Sequence, residues 1–326
     1  MSGGPIPPEF SGLERLARRA GYRPCDAELL PGDVGRRRYL RLAFEDGTSV
    51  IGVVYPAEET DSRRRWNSAR SILRERVLVP LLIADDQIGN QIIEDFGRDD
   101  LAARLADRTD ERSVWLGHAV DSAAVIAGLP DPGINPPFDA ATFRRELDLA
   151  REAVFDLWLH TPLTPEHRAA HDQWADSLAR EIETHPRVLC HRDFHANNLF
   201  PSDGRVALID FQDLRSGPDS YDLASLLWER STLDWMTLAE SRRQANRFAQ
   251  AVGIDVAGLE ERLQRVLLQR AWKVCGTFAR AVAQGRGETY RRYLPGEIAL
   301  VGRLIGSSPQ DQAFRAVYEA RLSSLC

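Results

Sequence analysis

The stretch Val188-Leu-Cys-His-Arg-Asp-Phe-His-Ala-Asn-Asn-Leu-Phe200, continued by Val206-Ala-Leu-Ile-Asp-Phe-Gln212, decides how the rest of the chain is read. It reads as a short strand, a polar loop and a hairpin. The loop carries His191, Arg192, Asp193, His195, Asn197 and Asn198, and the second apolar run ends on Asp210. A tight loop followed by a returning hairpin can gather three oxygen-bearing side chains, Asp193, Asn198 and Asp210, around one small volume.

On the N-terminal side of this block the texture is strand-like. After a short helix at 11–20, apolar runs at Leu29-Leu30, Tyr39–Phe44 and Ser49–Val54 are separated by Pro31-Gly32-Asp33 and Glu45-Asp46-Gly47. Asp-Gly between two apolar runs is a strong hairpin signal. A charged helix at 61–77 and strands at 79–84 and 91–94 follow. Beyond Asp95 helical periodicity takes over, at 99–128, 139–160, 165–185, 219–252, 257–285 and 309–325. The expected architecture is α+β and bilobal: a small antiparallel-sheet lobe at 1–94, a hinge about 94–98, and a larger helical lobe at 95–326. A hinged enzyme with its site in a cleft fits this layout.

The chain has 326 residues, 43% hydrophobic and 28% charged, which suits a folded domain with a substantial core. A net charge of -6 argues against a nucleic-acid polymer as partner. Cys25, Cys190, Cys275 and Cys326 are far apart and show no paired metal spacing. With neither a secretory signal nor a membrane-length apolar run, they read as free thiols in a soluble, cytoplasmic protein. Cys190 reads as a small buried apolar residue.

His191-Arg192-Asp193 with Asn198 fits the kinase catalytic-loop pattern H-R-D-x-x-x-x-N, and Asp210-Phe211-Gln212 stands where kinases carry D-F-G. Phosphoryl transfer needs a carboxylate at the attacking hydroxyl and oxygen ligands for the Mg²⁺ that accompanies ATP. Asp193 is the expected base, and Asn198 and Asp210 the expected metal ligands. Each fragment alone is weak, and Asp210 alone could simply cap a turn; order, spacing and strand context together carry the reading. His195 could orient a neighbour or touch substrate. Glu94-Asp95-Phe96-Gly97 has the letters D-F-G but precedes the catalytic loop, so it suits a hinge whose backbone meets the adenine edge, with Glu94 and Phe96 as nucleotide contacts and no metal on Asp95.

The segments 191–200, 208–212 and Gly217-Pro218-Asp219-Ser220-Tyr221-Asp222-Leu223-Ala224 resemble the aminoglycoside phosphotransferase and choline kinase superfamily. By that resemblance Asp222, with His191, braces the catalytic loop; Asp222 also suits a helix N-terminus. Within the superfamily the chain is most similar to the bacterial anomeric sugar kinases of cell-wall recycling, the N-acetylmuramate/N-acetylglucosamine 1-kinases. That likeness rests on 32–41, 92–97, Phe143-Arg144-Arg145-Glu146-Leu147 and Gln269-Arg270-Ala271-Trp272-Lys273-Val274-Cys275-Gly276-Thr277-Phe278-Ala279-Arg280. It implies phosphorylation of the anomeric hydroxyl of a small N-acetylated amino sugar.

Kinases carry a phosphate-pairing lysine on the third strand. Here Ser49–Tyr55 has none, and the only lysine of the chain is Lys273. Arg36, Arg37 and Arg38, after the Gly32-x-x-Gly35 turn, are candidates to meet the phosphates, though any of them could be a solvated strand-edge charge. Arg145, Glu146, His195 and Lys273 are candidate sugar contacts; each also fits a plain helix-face charge. Trp158, Trp228 and Trp272 read as core. The competing readings are an aminoglycoside or choline-like phosphotransferase, which wants a strongly acidic pocket, and a non-catalytic pseudokinase, which the missing lysine motivates.

Overall fold

Alternation in the second strand run sorts its residues onto two faces. Leu40 and Leu42, with Val50 and Ile92 from neighbouring strands, form one buried face, and Phe10, Leu13, Leu16 and Ala17 pack onto it. The four N-terminal residues belong to or immediately precede helix α1 (Ser11–Arg19). Any Cβ at Gly52 would overlap Leu13, so the absence of a side chain there lets α1 lie directly on the sheet. The computed structural model describes residues 6–30, 37–285 and 288–326.

The sheet is antiparallel throughout. It comprises β1 (Asp26–Leu30), β2 (Arg38–Ala43), β3 (Ser49–Val54), β4 (Leu82–Asp85) and β5 (Asn90–Glu94), in the order β1-β2-β3-β5-β4. The hairpin expected at Asp46-Gly47 joins β2 to β3. Gly47 takes φ +81 and the Asp46 carboxylate accepts from the backbone and hydroxyl of Thr48. Between β3 and β4 lies α2 (Thr60–Leu73).

The remaining helices are α3 (Leu101–Asp107), α4 (Arg112–Ala127), α5 (Ala140–Arg151), α6 (Pro165–Glu183), α7 (Tyr221–Leu227), α8 (Leu238–Val252), α9 (Val256–Ala283), α10 (Glu288–Arg291), α11 (Leu294–Leu304) and α12 (Pro309–Arg321). The long helical stretches expected at 99–128 and 219–252 are each two helices, with N-caps at Asp100 and Thr237 starting α3 and α8. The stretch expected at 139–160 turns π-helical over Glu152–Trp158. Helices α10 and α11 were not expected. Pro295 stands in the first turn of α11, where its missing N–H costs nothing.

Around the deciding block, β6 (Arg187–Cys190) pairs with β9 (Arg215–Pro218), and β7 (Leu199–Ser202) with β8 (Arg205–Leu208). By contacts the chain forms two compact units, Met1–Thr109 with Ala196–Asp213, and Asp110–His195 with Leu214–Cys326. This partition runs to Thr109 rather than breaking at 94–98, and it gives the β7–β8 hairpin to the sheet-bearing unit, where Leu208 donates to the Leu78 carbonyl at 2.8 Å. The second unit is largely helical. Any Cβ at Gly276 on α9 would overlap Ala150 on α5, so these two helices cross at close range. No helix among the described residues is long and apolar enough to cross a membrane.

Candidate active site

The polar residues singled out by the sequence fall into two groups, one in each unit. In the sheet-bearing unit, the strand face opposite α1 lines a pocket of about 280 Å³. Arg37, Tyr39 and Arg41 alternate along one strand and Ile51, Val53 and Tyr55 along the next; the pairs Tyr39↔Val53 and Arg41↔Ile51 keep them in register. Glu94, Asp95, Phe96 and Gly97 form one edge, and Asn198, Phe200, Ile209, Asp210 and Gln212 line it from the β7–β8 hairpin and its flanks. The pocket is apolar in the middle, with the Arg41–Asp95 pair on one side of Tyr39 and a charged end with Arg37 and Asp210 on the other.

That charged end is built on Arg37. Its Nη2 donates to Asp210 Oδ1 at 3.3 Å, and its Nε lies 3.5 Å from Glu59 Oε2. Asp210 also accepts from Gln212 Nε2 at 2.9 Å. Asp210 holds φ +62, a left-handed conformation uncommon for a residue with a side chain. Arg38 turns the other way, over the Phe10 ring at 4.1 Å and within 3.3 Å of Glu9. Arg36 and the Gly32–Gly35 turn lie outside the described residues. On β3 the pocket-facing positions are apolar or aromatic, and the arginines lining the pocket, Arg37 and Arg41, come from β2 and the residue before it.

The Asp95 carboxylate is fully employed. Arg41 Nε and Nη2 reach its two oxygens at 2.6 and 3.1 Å, Ser49 Oγ adds a bond at 2.6 Å and the Gly97 N–H one at 2.9 Å. These bonds outweigh burial and hold the carboxyl below its usual range. Its work is to shape the 94–97 edge. Phe96 packs against Phe200 with ring centroids 6.4 Å apart.

In the helical unit, β6 delivers the loop His191–His195. Buried His191 sets its ring against Phe194 at 5.6 Å. The N–H groups of His191 and Arg192 both donate to the buried Asp222 carboxylate, at 2.6 and 2.9 Å. Burial pushes the Asp222 carboxyl up, against the pull of these bonds. Arg192 takes φ +83 and turns the chain so that half-buried Asp193 follows. Burial alone would raise the Asp193 carboxyl; the charges of Arg192, Lys273 and Arg270 win and hold it well below the usual carboxylate range. His195 lies in the field of Glu229 and Asp193, but burial pushes its imidazole down and keeps it neutral.

Beside this loop Lys273 Nζ lies 3.2 Å from Glu146 Oε1, Gln269 Nε2 donates to Glu146 Oε2 at 2.8 Å, and Lys273 reaches the Tyr221 hydroxyl at 3.5 Å. Glu146 stands four residues before Ala150 and Lys273 three before Gly276, so the close helix crossing at Gly276 is what brings the pair together. Arg145, one position along α5 from Glu146, is exposed and does not share this face. Its neighbour Arg144 pairs with Asp172 and Asp176.

Residues missed by sequence reasoning are Glu59, Tyr221, Arg270 and Glu297. Arg270 was one helical turn from Lys273 on the same face, a signal that could have found it. Glu297 on α11 is 1% exposed and its Oε1 has no hydrogen-bond partner among the described residues. Burial pushes its carboxyl from 4.5 up to about 8, Glu229 adds to this, and Arg270 and Arg230 oppose it. The folded chain thus keeps a proton that the unfolded chain releases. Its contribution to stability is full below the unfolded value of 4.5 and is lost as pH rises through about 8. Over that window the slope is about 1.4 kcal/mol per pH unit. Glu297→Gln is expected to flatten the fall in melting temperature between about pH 5 and about pH 8; an unchanged slope in thermal melts would count against a buried neutral Glu297.

A small antiparallel sheet bearing a pocket, followed by a largely helical unit, is a kinase-like fold, and solved structures share it. Over 95% of this chain and 99% of the other, the fold matches the aminoglycoside phosphotransferase APH(2'')-IIa, seen with gentamicin, at TM-score 0.63 and 13% identity. A macrolide 2'-phosphotransferase from Brachybacterium faecium matches at TM-score 0.56 and 15% identity over 92% and 99%. The family described as "Phosphotransferase enzyme family" matches residues 26–264, and the chain belongs to it. Relatives named N-acetylmuramate/N-acetylglucosamine kinase are 31% identical in Pseudomonas aeruginosa, over 87% of this chain and 89% of that protein, and 29% identical in Neisseria meningitidis, over 84% of each. The chain is therefore a phosphotransferase with a hydroxyl acceptor and a nucleotide donor.

Proposed function

We propose that this protein is an ATP- and magnesium-dependent kinase that phosphorylates the anomeric hydroxyl of an N-acetylated amino sugar, of N-acetylglucosamine, N-acetylmuramate or N-acetylgalactosamine type. The relatives' names support the sugar. The observation that carries it on the structural side is the field at Asp193, where Arg192, Lys273 and Arg270 surround the carboxylate. Such a field keeps Asp193 ionised where it would meet the acceptor hydroxyl. It also makes Asp193 a weak base. The anomeric hydroxyl is the most acidic hydroxyl of a free sugar, because the ring oxygen withdraws electrons, and is the one best matched to a weak base.

In this reading the base of the nucleotide lies along Glu94–Gly97 against Phe96, and Arg37 meets its phosphates. Asn198 and Asp210 fit magnesium: both line the same pocket, both offer hard oxygen donors, and the Asp210 side chain is 34% exposed. Bound magnesium neutralises charge on the β- and γ-phosphates. Asp193 orients the sugar hydroxyl and takes its proton; Asp222 and His191 hold the loop. Glu146, Lys273 and His195 are the proposed sugar contacts, and exposed Arg145 is left outside them. An ATP-consuming step on a cell-wall sugar belongs in the cytoplasm.

ATP consumption with N-acetylglucosamine, N-acetylmuramate, kanamycin and choline tests this. Turnover is expected with the sugars; turnover confined to kanamycin or choline would contradict it. Arg37→Met is expected to raise the nucleotide KM about tenfold or more, the worth of one charge-assisted contact, while Arg38→Met leaves it within about twofold. Equal KM values for both variants would remove Arg37 from the phosphate site.

A further inference from the structure

Arg270 is 8% exposed on α9 and has no part in the reading above beyond its charge. Its Nη1 donates to the Arg192 carbonyl at 3.3 Å, and its guanidinium lies 4.7 Å over the Tyr221 ring. Tyr221 is itself immobilised, fully buried and packed on Phe138 with centroids 4.6 Å apart. The Arg192 carbonyl and the Asp193 N–H belong to one planar peptide. On the other side of Arg192, the His191 and Arg192 N–H groups are held by Asp222. Arg192 thus sits at φ +83, a conformation that persists only when its surroundings over-determine it, with a carboxylate clamp before it and a guanidinium clamp after it.

We propose that Arg270 is a positioning residue for phosphoryl transfer, fixing the Arg192–Asp193 peptide and so the direction in which Asp193 meets the acceptor hydroxyl. This rests on the reading of Asp193 as base. A planar, always-charged fork suits this role because it lies over the Tyr221 ring while one N–H is aimed at the carbonyl, which a lysine cannot do equally. Misdirecting a reacting group by about 1 Å is enough to slow a reaction about 100-fold.

The test is steady-state kinetics with ATP, magnesium and N-acetylglucosamine for Arg270→Met, Arg270→Lys, Asp193→Asn and the Arg270→Met/Asp193→Asn double variant, with thermal melts alongside. Arg270→Met is expected to lower kcat about 100-fold with the nucleotide KM within about twofold, and Arg270→Lys to recover part of the loss. The double variant is expected to be no slower than Asp193→Asn alone, because Arg270 acts through Asp193. Losses that multiply in the double variant, or a kcat within about twofold of the parent in Arg270→Met, overturn the proposal. If Arg270→Met melts below the assay temperature, Arg270→Lys carries the test: a fall in kcat of about tenfold or more at unchanged nucleotide KM supports the proposal, and an unchanged kcat overturns it. Asp193→Asn running at the parent rate removes the base reading itself; Asp193→Asn slow with both Arg270 variants unimpaired removes only the role of Arg270.

Discussion

Asp193→Asn is expected to lower turnover by about 10²–10⁴-fold, the usual worth of a positioned base, while nucleotide affinity stays near that of the parent. The substitution keeps the shape of the side chain and removes its charge and its capacity to take a proton. Asp193 lies in the loop of the helical unit, whereas the pocket residues that would hold nucleotide are in the other unit. Loss of kcat without loss of nucleotide binding, read by kinetics and by a fluorescent nucleotide titration, is therefore the expected split. A near-parental kcat would remove Asp193 from the chemistry.

Asp210→Asn is expected to lower kcat about 100-fold or more and to raise the magnesium needed for half-maximal rate, since a metal ligand supports several kcal/mol of charge stabilisation. Asparagine is the informative choice. Asp210 holds φ +62, which asparagine tolerates better than alanine, so the backbone is preserved while the charge is lost. The change also strips Arg37 of one partner, leaving Glu59 as the other. An unaltered magnesium dependence would exclude Asp210 as a ligand.

The sheet, its Asp46-Gly47 hairpin and the loop from His191 to Asn198 were legible because period-two alternation and turn residues are local signals. Strand β9 was not, since Arg215-Ser-Gly-Pro218 has no strand-like composition and exists as a strand only through its ladder with β6. Among the arginines near the first turn, composition could not separate Arg37 from Arg38. Strand pleat does: the two point to opposite faces, one to the pocket and one to Phe10 and Glu9. Arg145 and Glu146 are adjacent in sequence but about 100° apart around a helix, and only Glu146 shares a face with the Lys273 pair. Glu297 was beyond reach because α11 was not foreseen, and its unusual proton affinity comes from burial, which is a tertiary property.

Transfer to the anomeric hydroxyl is tested most directly by phosphorus NMR of the product formed from ATP, magnesium and N-acetylglucosamine, with the methyl glycoside of the same sugar as a control. A phosphorus signal coupled to the anomeric proton, and no product from the methyl glycoside, is the predicted result. Phosphate on any other carbon, or equal turnover of the methyl glycoside, would contradict it.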